Sequence, residues 1–182
     1  QWFAGTPGAE DTNGFTRQNW WGPVGEEARM LREAAGIIDI SNFAKYRVVG
    51  PGAEAWLDAV FANTMPRAVG RSCLTPLISV RGGIAGDATV TKVGEEEFYV
   101  ISSGMAERYQ SRFFQMVPLP EGTVFESRTE AMCGFNVAGP EARKLLAKLT
   151  NASLETADFP FMRSRMIEIA GVECLALRVS FT

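Results

Sequence analysis

The sequence predicts an α+β fold, on three observations. Stretches with the two-residue alternation of strands are interspersed with stretches of helical spacing. Several strands come in hairpins, so the sheet is expected to be largely antiparallel. A pattern of strand, Gly-Pro break, helix and hairpin also occurs twice. Val48-Val49-Gly50-Pro51-Gly52-Ala53 followed by Leu57 echoes Asn136-Val137-Ala138-Gly139-Pro140-Glu141-Ala142 followed by Leu146. Either the echo is a duplicated β-α-β-β-α-β (ferredoxin-like) unit, its second copy lacking the last helix and strand, or it is two ordinary strand-to-helix junctions.

Residues 1–22 are rich in Gly, Pro and Trp and lack periodicity, so they read as an arm or linker, with one domain over 23–182. A helix is expected from about Pro23 to Ala35, with Glu26 and Glu27 in its first turn and Gly36 as its stop. Ala44–Val49 alternates as a strand, Gly50-Pro51-Gly52 breaks it, and Ala53, Trp56, Leu57, Val60 and Phe61 repeat at helical spacing. Ala88–Val93 and Phe98–Ser102 read as a hairpin around 94–97. Met105, Tyr109, Phe113 and Met116 mark a helix face. Thr123–Ser127 and Gly134–Val137 look like short strands. Gly139-Pro140 opens a helix with Ala142, Leu145, Leu146 and Leu149 on one face. Arg165–Ile169 and Val172–Ser180 form a last hairpin around Ala170-Gly171.

Composition excludes much. A chain of 182 residues with 46% apolar and 21% charged residues can bury a core and is not disordered. A net charge of −3 argues against nucleic acid, which needs a basic face. No apolar run approaches the ~18 residues of a membrane helix. The count of zero His removes Ser-His-Asp and Cys-His nucleophiles and HExxH metallopeptidases. Three scattered cysteines, Cys73, Cys133 and Cys174, form no CxxC and fit a reducing compartment better than a disulfide scaffold. Cys73 and Cys133 are expected to be buried. A start at Gln1 and a stop at Thr182 inside an expected strand read either as a piece of a longer polypeptide or as processing without functional meaning.

The remaining chemistry centres on Arg81-Gly82-Gly83-Ile84-Ala85-Gly86-Asp87-Ala88-Thr89-Val90. Its glycines allow close backbone approach to a flat ligand, and alternation puts Asp87 and Thr89 on one face. One carboxylate there can accept a proton or hold a cationic nitrogen; the other reading is a Gly-rich turn with a turn Asp. The segment is neither a Walker A loop nor GxGxxG, so phosphate binding is not indicated. Phe43, Phe98, Phe159 and Phe161 are candidates either for a cavity wall or for the core. Asp39-Ile40-Ser41-Asn42 is either a polar site loop or a capped turn, and Glu95-Glu96-Glu97 a solvated turn.

Asp39-Ile40-Ser41-Asn42-Phe43, Ala62-Asn63, Gly82-Gly83-Ile84 with Asp87, Phe159-Pro160-Phe161-Met162 and Arg178-Val179-Ser180-Phe181-Thr182 resemble, in order, segments of the glycine-cleavage T-protein (aminomethyltransferase) family. Phe43-Ala44-Lys45 and the Trp-containing stretch 15–26 are similar to its dimethylglycine and sarcosine dehydrogenase branch. The resemblance implies a tetrahydrofolate-binding domain of two interlocked repeats. It receives a one-carbon unit from a small methylated amine and yields 5,10-methylenetetrahydrofolate. FAD would belong to a separate upstream domain. The implied compartment is the bacterial cytoplasm or the mitochondrial matrix, not the exterior.

By the same resemblance Asp87 is the catalytic carboxylate, and Phe43, Leu74, Thr89, Ser103, Phe161 and Phe181 line the folate pocket. Three departures stand out: Gly86-Asp87 where many relatives read Asp-Asp, Ser103 where the T-protein usually has Asn, and Phe181 for a frequent Tyr. They keep a non-catalytic folate-binding or regulatory relative in play. The stop at Thr182 precedes further pocket residues of the family. Residues 1–182 alone are therefore expected to bind folate poorly, to be inactive, and to associate with another copy or with the rest of a parent chain.

Overall fold

A computed structural model describes residues 10–12 and 14–179. Helix α1 (Trp21–Glu33) leads into strand β1 (Gly36–Asp39). Then come β2 (Ala44–Val49), α2 (Ala53–Val60), β3 (Ser72–Ile78), β4 (Ile84–Gly94), β5 (Glu97–Ser102), α3 (Glu107–Gln115) and β6 (Val124–Ser127). β7 (Phe135–Ala138), α4 (Ala142–Leu146), β8 (Arg163–Ile169) and β9 (Val172–Arg178) complete the described chain.

The central sheet is antiparallel, in the order β3-β4-β5-β2-β6. Alternation in β2 sends Ala44, Tyr46 and Val48 into the core, and Ala88 and Val90 of β4 and Phe98 and Val100 of β5 join them. Helix α2 lays Ala53, Trp56, Leu57 and Val60 on that face, at the 3-4 spacing of a helical stripe. Phe114 of α3 sits between Tyr46 and Phe125, at 5.3 Å from each ring centroid. The Trp56 indole N–H donates to the Val117 carbonyl at 3.0 Å. Burying these rings is the main local source of stability.

The two Gly-Pro junctions behave alike. Gly50 and Gly139 have φ of 130° and 110°, and an added Cβ would lie 2.3 Å from the Gly122 oxygen and 2.4 Å from the Ala34 oxygen. Both follow a strand and precede a helix and a hairpin. The second half differs in its pairing, since β7 joins β1 while β8 and β9 form a separate pair. The β8–β9 turn has φ of 50° at Ala170 and 82° at Gly171, the pair of positive values a two-residue hairpin needs.

Several expectations change. Helix α1 starts at Trp21, so Glu26 and Glu27 lie beyond its first turn; Gly36 opens β1 instead of stopping the helix. The arm reading of 1–22 falls partly outside the described residues, and its last two residues belong to α1. On α3 the buried residues are Gln110 and Phe114, and Phe113 of the expected stripe packs against the core in part; Tyr109 on the helix, and Met105 and Met116 flanking it, are exposed, because the helix packs one step round from the stripe read in the sequence. Strand β3 escaped the sequence reading because of Pro76. It tolerates the proline as an edge strand hydrogen-bonded only to β4 within the sheet. Cys133 is exposed, not buried, and Cys73 is half-buried. Burial raises the Cys73 thiol pKa, which disfavours the thiolate form.

Candidate functional site

The side of the central sheet away from α2 and α3 carries the residues singled out in the sequence. On β4, Asp87 and Thr89 alternate with the core residues Ala88 and Val90, so both face this open side. Strand register places Leu74, Thr89, Ile101 and Lys45 in one row across β3, β4, β5 and β2. Asp87 stands opposite Pro76. Ser103 follows β5, and the register continued past the Ala88–Ser102 pair brings it level with Asp87. Asp87 is exposed, Thr89 half-buried and Leu74 48% exposed. Among the described residues the Asp87 carboxylate enters no ion pair. It is therefore not spent as a brace.

The four phenylalanines separate. Phe98 is completely buried beneath the sheet, and Phe159 is buried against the Arg165 guanidinium, 4.7 Å above its ring. Both take the core alternative of that expectation, not the cavity wall. Phe43 and Phe161 are exposed, by 38% and 56%. Phe181 lies outside the described residues. Phe161 is tied to the sheet through its neighbour Met162, whose carbonyl accepts from the Ser72 amide at 3.0 Å, two residues from Leu74.

Lys45 has a role the sequence reading missed. It is buried, and its Nζ donates to the Ser41 and Phe43 carbonyls at 2.8 and 2.9 Å, fixing the turn that presents Phe43. The only sequence signal was a lysine in an otherwise half-apolar strand. The preceding Asp39 caps the same turn: its carboxylate accepts from the Ser41 amide at 2.7 Å, and hydrogen bonds from Ser41 hold its carboxyl below the usual range. That favours the capped turn over the polar site loop.

A groove of about 430 Å³ opens beside this turn, lined by Ser41, Asn42, Gly104, Glu107, Thr129 and Glu130 among others. It adjoins Phe43 and Ser103 through their chain neighbours but does not include Asp87, Thr89 or Leu74. The Asp87 face carries a carboxylate, a hydroxyl and apolar side chains in adjacent rows. That donor and acceptor set fits a heteroaromatic ring with N–H groups. Among the described residues no His, Cys, Asp and Glu group has the arrangement of a metal centre, and no helix is long and apolar enough to cross a membrane.

The family description "GCVT N-terminal domain" matches residues 1–182. The chain is 32% identical over 170 residues to mitochondrial dimethylglycine dehydrogenase of Rattus norvegicus, covering 92% of this chain and 20% of that protein. It is 29% identical over 174 residues to an aminomethyltransferase of Exiguobacterium sibiricum, covering 94% of this chain and 47% of the relative. The chain thus spans about a fifth of the former relative's length and under half of the latter's. Among solved structures, the glycine cleavage system aminomethyltransferase T of Bartonella henselae superposes with a TM-score of 0.66 at 22% identity, over 76% of this chain and 37% of that one. The mixed α/β architecture with antiparallel sheets agrees with that fold, and the full-length family match decides the assignment: the chain belongs to the GCVT N-terminal domain family, that of the aminomethyltransferases.

Proposed function

We propose that the chain is the tetrahydrofolate-binding part of an enzyme that moves a one-carbon unit from a methylated amine, such as dimethylglycine or sarcosine, to give 5,10-methylenetetrahydrofolate. The observation that carries this reading is the placement of Asp87, Thr89 and Leu74 on one open sheet face, with Ser103 level with Asp87. Bound tetrahydrofolate supplies the nucleophilic nitrogen. Asp87 accepts a hydrogen bond from that nitrogen, holds it in the attacking geometry and steadies the positive charge of the one-carbon donor. Leu74 and Phe161 give apolar contact to the flat ring, and Thr89 a hydroxyl beside it. The sheet supplies one wall of the site. Flavin, if the dehydrogenase reading holds, belongs to a separate upstream domain of the parent enzyme. The two strand, Gly-Pro, helix and hairpin runs are read as copies of one repeat.

The test is Asp87→Ala in the natural full-length protein. Methylenetetrahydrofolate formation is expected to fall by about 10²–10³-fold, the loss typical of removing one charge-stabilising group, with folate affinity little changed. An unchanged rate overturns the catalytic role. The absence of Asp87 from the groove favours a second reading, a folate-binding module that performs no transfer, and that unchanged rate is its signature.

A further inference from the structure

We infer that Arg178 is a positioning residue that clamps the 155–162 loop and so presents Phe161 to the Asp87 face; the inference rests on the folate reading above. Arg178 lies at the end of β9, directly opposite Arg163 on β8. Its guanidinium turns back onto the loop. Nη1 donates to the Phe159 carbonyl at 2.6 Å, and Nη2 to the Thr156 hydroxyl at 3.0 Å. Its own carbonyl accepts from the Met162 amide at 2.8 Å. One residue thus grips both ends of the segment 156–162.

Two more arginines converge there. Arg143 donates to Glu155 at 2.8 Å and to the Thr156 hydroxyl at 3.2 Å. Arg165 covers the Phe159 ring, with its Nε and Nη2 buried and without hydrogen-bond partners. Three cations converge on one short loop, which meets them with the Glu155 carboxylate, the Thr156 hydroxyl, the Phe159 carbonyl and the Phe159 ring face. Met162 has φ of 56°, a left-handed value that side chains rarely adopt. That conformation, following Pro160, lets Met162 bond to Arg178 on one side and Ser72 of β3 on the other. Phe161 lies between Pro160 and Met162 in this frame, with its ring exposed. The loop buries Phe159 and leaves the Phe161 ring outward, two residues along the chain and next to the Met162 link to β3.

The experiment measures tetrahydrofolate affinity by titration, and hydrogen exchange of the loop amides, in the natural full-length protein and in Arg178→Ala, Phe161→Ala and the double variant. Each single variant is expected to weaken folate binding about tenfold, the factor that follows from losing one oriented aromatic contact. The double variant is expected to lose no more than the weaker-binding single variant, because both act through one ring. Additive losses, or unchanged affinity in Arg178→Ala, overturn the inference. Should Arg178→Ala not fold, Thr156→Val removes one acceptor of the clamp and is expected to give a smaller loss that again vanishes on the Phe161→Ala background; a loss that persists there overturns it. If the wild-type protein binds no tetrahydrofolate, the folate reading fails. The clamp then stands or falls on whether exchange at Met162 rises in Arg178→Ala.

Discussion

The contrast between Phe98 and Phe161 gives the sharpest test of the assignment of aromatic residues to core and site. Phe98→Ala removes a ring that is completely buried among Tyr46, Val48 and Val100 of the core cluster. A buried phenylalanine takes roughly 200 Å² out of water, or about 5 kcal/mol at about 25 cal/mol per Å². Measured Phe→Ala losses in cores run at about 3–5 kcal/mol, since the cavity left behind collapses only in part. Phe161 is 56% exposed, so the same arithmetic gives at most about 2 kcal/mol, and there is no cavity term because solvent fills the space. Urea unfolding should therefore show a loss of about 3–5 kcal/mol for Phe98→Ala and below about 2 kcal/mol for Phe161→Ala. Folate titration at a temperature where both remain folded should show the reverse order. Equal destabilisation by the two, or folate affinity that follows stability instead of Phe161, would refute the separation.

Three further outcomes are expected. Lys45→Met should uncap the Ser41 and Phe43 carbonyls and cost about 1–3 kcal/mol in urea unfolding; a neutral result shows that the Phe43 turn holds without it. Gly50→Ala should be destabilising by more than the ~1 kcal/mol of an ordinary left-handed site, because its Cβ would collide with the Gly122 carbonyl; a stabilised variant excludes that backbone geometry. Arg47 donates to Glu97 at 2.6 Å and Glu126 at 2.8 Å, and its hydrogen bond is the main cause that holds the Glu126 carboxyl below its usual range. A lowered folded-state pKa contributes stability above the unfolded value that is lost as pH falls through the folded one. Glu126→Gln should thus lower the urea midpoint at neutral pH and converge with wild type below about pH 4; parallel curves across that window contradict the linkage.

Where the sequence reading succeeded, local and tertiary signals coincided. The alternation of β2 and the 3-4 spacing of α2 mark the residues that face one another across the core, so the pattern and the packing say the same thing. The Gly-Pro junctions were legible because the chain has no other way to turn there without collision. Strand β3 was hidden because Pro76 lowers strand propensity, and only its edge position makes that harmless. The face of α3 was misread because Gln110 is the buried residue: its side chain accepts from Ser102 deep in the core, while Met105 and Met116 are left in solvent. Polarity at that buried position was enough to shift the apparent stripe by one residue. For the candidate site, alternation alone placed Asp87 and Thr89 on one face, but Leu74 became their neighbour only through the register of a strand the sequence concealed.

That register also bears on one departure noted with the resemblance, Gly86-Asp87 in place of Asp-Asp. Position 86 alternates with Asp87 and points the other way. A Cβ on Gly86 would lie 3.1 Å from the Gln110 side-chain nitrogen and 3.7 Å from Leu77, on the helix-covered side of the sheet. That side-chain nitrogen is a buried donor without a partner, and a side chain at 86 requires Gln110 to give way slightly. An acid at 86 would therefore meet α3, not a ligand lying on the open face. Of the two adjacent positions, only 87 can present a charge to that face. The glycine then removes an inward group and relieves packing against α3, and leaves the outward carboxylate as it was.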